Sequence, residues 1–94
     1  MHDSKRRIIL TDKQIQDDIL TRLNRRRVWG GKHTDFEHLK KGVPAYLSGD
    51  YLQNGKTLIK EGLLIQKKTN YGLQVALNPR RRKEIQKRIE ESLE

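Results

Sequence analysis

The chain has no cysteine, two prolines, one tryptophan, one phenylalanine and three tyrosines in 94 residues, and its apolar runs stop at three residues, as in Ile8-Ile9-Leu10 and Leu63-Leu64-Ile65. Without cysteine there is no disulfide framework, no thiolate zinc site and no thiol nucleophile, which agrees with a reducing compartment and points to the cytoplasm. Such short runs fall far below the ~20 apolar residues of a membrane span, so no membrane partner is expected. Lys5, Arg6 and Arg7 ahead of Ile8 resemble the start of a secretory signal, but Thr11-Asp12-Lys13 ends the apolar stretch too early for export by that route. The scarcity of aromatics argues against nucleic-acid recognition by base stacking, and Trp29 and Phe36 read as packing residues. A chain of this length hides only about 60–65% of its unfolded surface, which means one small core and little room for a deep substrate cavity.

Catalytic constellations are also missing. His33 and His38 stand five apart across a helix start, on different faces, with no carboxylate cluster to complete a metal shell. Gly30-Gly31-Lys32-His33-Thr34 departs from a phosphate loop, since Arg26 stands where the first glycine belongs and His33 separates Lys32 from Thr34. The sequence therefore reads as a non-enzyme with no metal and no cofactor.

What is present is charge. Lys and Arg number 21 against 12 Asp and Glu, a net charge of +9. Such an excess favours a polyanionic partner, although a merely soluble basic protein has the same composition.

Periodicity and caps divide the chain. Residues 1–10 form a basic arm, with Ile8, Ile9 and Leu10 available to pack on the body. Thr11 and Gln14 have capping-box spacing, and Ile15, Ile19, Leu20 and Leu23 share one face, so a helix is predicted over 11–26. Val28 to His33 breaks it and has room for a short strand. Thr34-Asp35-Phe36-Glu37 reads as a second capping box, opening a short helix that Gly42 ends. Pro44 turns the chain. Leu47, Tyr51 and Leu58, with Leu52 and Ile59 beside them, predict a third helix starting between Pro44 and Asp50, capped by Ser48 or Asp50 and stopped by Gly62. The period then changes to alternation: Leu63 and Ile65 on one face, matched by Leu73, Val75 and Leu77, predict a β-hairpin. Its polar tip spans 67–72, where Asn70 and Gly72 suit positive backbone angles. Asn78 caps and Pro79 opens a last helix, along which Ile85, Ile89 and Leu93 form one narrow stripe.

Three helices, a tight turn between the second and third, and a glycine leading into a basic-tipped hairpin resemble the winged helix-turn-helix family over residues 11–77. The most telling segment is Thr57-Leu58-Ile59-Lys60-Glu61-Gly62-Leu63-Leu64-Ile65, which is similar to that family's passage from recognition helix into wing. The resemblance implies an α+β, mostly helical fold: a three-helix core, a β-hairpin wing, and here an additional C-terminal helix over 78–94. It also implies sequence-specific binding of double-stranded DNA, usually in transcriptional regulation and often as a dimer. The same fold also serves as an adaptor for a protein or structured RNA, or as a non-specific architectural DNA binder. Pro44 to Gly49 is long for the turn before a recognition helix and has room for an extra helical turn.

Only the outward face of a helix near its leading end reaches base edges in the major groove. Ser48, Gln53, Asn54 and Thr57 are accordingly the candidate base-contacting residues, with Asp50 reserved for capping. Lys56 and Lys60 on the same helix, and Lys67, Lys68, Asn70 and Tyr71 on the wing, are candidates for the DNA backbone or minor groove. Arg25-Arg26-Arg27 complements a helix C-terminus. Arg80, Arg81, Arg82 and Lys83 instead crowd a helix N-terminus, which reads either as an anion site for the DNA backbone or as a solvated face. The stripe of Ile85, Ile89 and Leu93 has two readings as well: packing against the first helix, or a helix-to-helix homodimer contact.

Overall fold

The computed structural model describes residues 9–93. Three α-helices, α1 (Asp12–Arg25), α2 (Ser48–Lys60) and α3 (Arg82–Ser92), surround an antiparallel sheet of β1 (Thr34–Asp35), β2 (Leu64–Thr69) and β3 (Gly72–Leu77). Short 3-10 helices at Phe36–Lys40, Ala45–Leu47 and Pro79–Arg81 complete an α+β fold. Among the described residues no helix is long and apolar enough to cross a membrane. Most of the basic arm lies outside the described residues. At its junction Leu10 packs on the core, whereas Ile9, expected to do the same, is 90% exposed.

Helix α1 begins as its sequence predicts. Thr11 Oγ1 accepts from Gln14 N at 3.0 Å, and Thr11 N donates to Gln14 Oε1 at 2.9 Å, so both partners of the capping box are made. The helix ends on Arg27, whose φ of 57° is left-handed, with Val28 N donating back to Leu23 O. That is the geometry a glycine ordinarily provides.

The second capping box does not form. Thr34 and Asp35 are a strand instead, pairing with Val75 and Gln74, and the Phe36–Lys40 segment has no side-chain cap. Thr34 Oγ1 is turned inward, where it accepts from Arg26 and meets His38 Nδ1 at 3.2 Å. Pairing with β3 has claimed the threonine that local spacing offered to a helix.

After Pro44 the chain makes the extra 3-10 turn before α2 begins at Ser48. Neither Ser48 nor Asp50 caps the helix, because the preceding 3-10 turn already supplies helical backbone at Leu47 and Ser48. Gly62, at φ 83°, stops α2, with Leu63 N bonded to Leu58 O at 3.0 Å.

The hairpin is in place but its facing differs from the expected alternation. Leu64, not Ile65, stands opposite Leu77, and Ile65 stands opposite Ala76. Residues directly opposite share a face. Leu64, Val75, Ala76 and Leu77 are all at most 1% exposed, so both faces are covered at the hairpin base, where alternation loses its meaning. The strand order β1-β3-β2 puts the last strand in the middle.

Helix α3 closes the fold against α1. Asn78 Oδ1 accepts from Arg80 N as expected, and Asn78 Nδ2 donates to Gly62 O, joining the hairpin base to the end of α2. Ile85 and Ile89 are buried in the common core at 0% and 8% exposure. They are therefore spent inside the monomer, as the reading of packing against the first helix has it, and are not free for a homodimer contact; Leu93 alone of that stripe is exposed.

Candidate nucleic-acid interface

At 100° per residue, Gly49, Gln53, Lys56 and Lys60 fall within one sector of α2, and all four are exposed. Tyr51, Asn54, Gly55 and Leu58 form the opposite, buried side. Two of the residues expected to read bases, Ser48 and Thr57, are half-buried flanks of the outward stripe. Thr57 Oγ1 is turned back on its own helix, donating to Gln53 O at 3.3 Å.

Asn54 cannot read bases. It is 4% exposed, and its amide is consumed: Nδ2 donates to Asp12 Oδ1 and Asp50 O, and Oδ1 accepts from Gln16 Nε2 at 2.8 Å. Gln16 in turn accepts from Arg88, whose Nε donates to Asp17 Oδ1 at 2.9 Å, while Lys13 Nζ reaches Asp17 Oδ2 at 2.8 Å. This chain of polar contacts ties α1, α2 and α3 together beneath the outward stripe. It also engages Asp12 and Asp17, two of the three α1 carboxylates. The third, Asp18, accepts from Tyr51 Oη at 2.6 Å. Burial, and then that hydrogen bond and the Asp18 charge, raise the Tyr51 phenol well above its ordinary value, with Arg22 opposing more weakly.

The wing carries Lys67 and Lys68 exposed along β2, and Asn70 and Tyr71 exposed at the tip, Tyr71 at 93%. Thr69 Oγ1 accepts from Tyr71 N and donates to Gly72 O, which fixes the two-residue turn. Only Gly72 takes a positive φ there, at 118°; Asn70 does not. From Leu63 to Lys83 the sequence contains no Asp or Glu, so nothing acidic on the wing itself offsets its lysines.

The run expected to crowd the last helix with free cations is divided by use. Arg80 is exposed. Arg81 is half-buried, donates from Nε to Glu84 at 3.0 Å and reaches Glu61 O from Nη1 at 3.1 Å. Arg82 lies over the Trp29 ring, its guanidinium carbon 4.1 Å from the centroid. A four-cation anion site at the helix start is therefore not assembled, because Arg81 is spent on Glu84 and Glu61 while Arg82 is held over Trp29 on the other side of the hairpin base, apart from it.

A cleft of about 260 Å³ lies between α1 and the Phe36–Lys40 turn. Its Arg22 donates to the carbonyls of Leu39 and Lys41, and its Arg26 donates to Thr34. Those donors brace the walls.

No family model, curated protein or solved structure matches the chain.

Proposed function

We propose that the chain is a winged-helix domain that binds double-stranded DNA sequence-specifically, as a small transcriptional regulator. In this reading α2 enters the major groove and the β2–β3 wing grips the backbone or the adjacent minor groove. The carrying observation is the outward stripe Gly49, Gln53, Lys56 and Lys60 on a helix braced from below, beside a hairpin free of carboxylates and ending in Tyr71. Gln53 offers a bidentate amide for adenine, and Lys56 a donor for guanine or phosphate. Gly49 has open space around the position of an added Cβ, so the leading turn presents bare backbone. Lys60, Lys67 and Lys68 supply the sequence-independent attraction.

Selection of preferred duplexes from a random pool tests the reading. Wild type should enrich a defined site, and Gln53→Ala should relax it at one or two positions without loss of stability. Lys68→Ala should weaken all duplexes alike and lower the salt slope by about one. Enrichment of no site, or binding indifferent to salt, would overturn the proposal.

A further inference from the structure

The segment that follows α1 meets the start of the last helix at the base of the wing, Gly30 beside Pro79 and Trp29 beneath Arg82. Leu77 of β3 holds Leu64 on one edge; on the other, Leu77 N donates to Val28 O at 2.9 Å and Gly30 N to Leu77 O at 3.0 Å. That second edge carries the segment following α1. The Trp29 ring is fixed there from two sides, by its own Nε1 donating to Asn24 Oδ1 at 3.1 Å and by Arg82 stacked above it. Arg25, at the end of α1, and Arg27 and Lys32, which flank Trp29 in the chain, are exposed and have no ion-pair partner among the described residues. Arg26 is exposed too and uses one nitrogen on Thr34. No Asp or Glu occurs from Ile19 to Thr34 or from Leu63 to Lys83. Of the carboxylates bordering those stretches, Asp18 is engaged by Tyr51 and Arg22, Asp35 by Gln74 and His38, and Glu84 by Arg81, while Glu61 is exposed at the end of α2. Arg27 keeps its guanidinium at a left-handed position where glycine would relieve the backbone.

We propose that this cationic surface is a second nucleic-acid backbone site, separate from the α2–wing face, so that one chain holds two duplex segments at once. The proposal rests on the DNA-binding reading above. Stacking on Trp29 occupies the face of the Arg82 guanidinium and leaves donors along its rim, suited to forked contacts with phosphate oxygens. The patch offers cations without the amides that read base edges, so it takes the backbone of any sequence. It is separate for two reasons. Leu77 lies about 17 Å along β3 from the wing tip, and Val28 to Gly30 sit on the edge of β3 away from β2, the strand that continues from α2. A duplex is stiff, and bending one through 40–90° to touch both faces costs about 1–6 kcal/mol. A second segment meets the far face without that cost.

The test is capture of a fluorescent duplex by protein already bound to an immobilised duplex carrying its preferred site. Wild type should capture it, with a change in emission of the single tryptophan, Trp29, that follows the second duplex and not the first. The variant Arg25→Ser/Arg27→Gly/Lys32→Ser, whose glycine suits the left-handed position, should bind the first duplex within about threefold of wild type. It should lose capture of the second at least tenfold, with the salt slope of that step lower by about 2.7 for three lost phosphate contacts. Equal capture by the variant would overturn the proposal and assign bridging to paired recognition faces of two copies. One-to-one binding without capture by wild type would overturn it while leaving the DNA-binding reading intact, and no duplex binding at all would defeat both.

Discussion

Tyr51 couples the seat of the candidate recognition helix to pH. Its phenol donates to Asp18, and burial favours the neutral form, so its folded titration lies above the ordinary value of 10.0. The unfolded chain ionises first as pH rises, so stability from this group is complete below about pH 10 and is lost above it. Denaturant midpoints measured from about pH 8 to about pH 11 should fall for wild type. Tyr51→Phe should show a shallower alkaline decline, the difference between the two proteins separating this phenol from the titrating lysines. At the other end of α1, Arg27→Gly should raise stability by about 0.5–1 kcal/mol in urea unfolding, because a left-handed side chain is costly and glycine's is not. Residue-level reading of the sequence succeeded where a role is local: Thr11, Asn78 and Gly62 do what their neighbours dictate. It failed at Asn54, yet the signal was there. Leu47, Tyr51, Asn54 and Leu58 are spaced four, three and four, so Asn54 fills the gap in the apolar stripe. A polar residue on a buried stripe is a network member before it is a reading head.

At the scale of elements, α2 contains two internal glycines with opposite requirements. Alanine is favoured over glycine inside a helix by roughly 1 kcal/mol. At Gly49 nothing lies within reach of an added Cβ, so Gly49→Ala should raise thermal stability by up to about that amount. At Gly55 the Cβ would lie 2.5 Å from Leu39 Cδ1 and 3.0 Å from Phe36 Cε1, both on the packed 3-10 turn. Overpacking of about 1–3 kcal/mol outweighs the propensity gain, so Gly55→Ala should lower the melting temperature. The pair tests whether close approach of α2 to that turn sets the helix's position. The helices and the hairpin were legible because their periods and caps are local. The strand β1 was not, because Thr34 and Asp35 become a strand only through Val75 and Gln74, far along the chain. The hairpin facing was obscured by burial on both sides of its base.

For the whole molecule, the Asp17–Arg88 pair joins the first helix to the last, with Asp17's side chain 7% and Arg88's 19% exposed. Asp17→Asn keeps the shape and removes the charge, and should cost about 2–3 kcal/mol in denaturant unfolding. No spacing announces a contact between residues so far apart, nor the meeting of Arg82 with Trp29. Long-range polar partners were the part of the fold that sequence patterning could not supply. The strand order has a further consequence for synthesis. A chain leaving the ribosome N-terminus first exposes β1 and β2 with an empty lane between them, and only residues 72–77 can fill it. Helix α3, which seals α1, comes later still. Folding must therefore wait until nearly the whole domain has cleared the exit tunnel, and a nascent chain stalled inside the wing should remain open to protease, whereas one released past Ile89 should close in a single step.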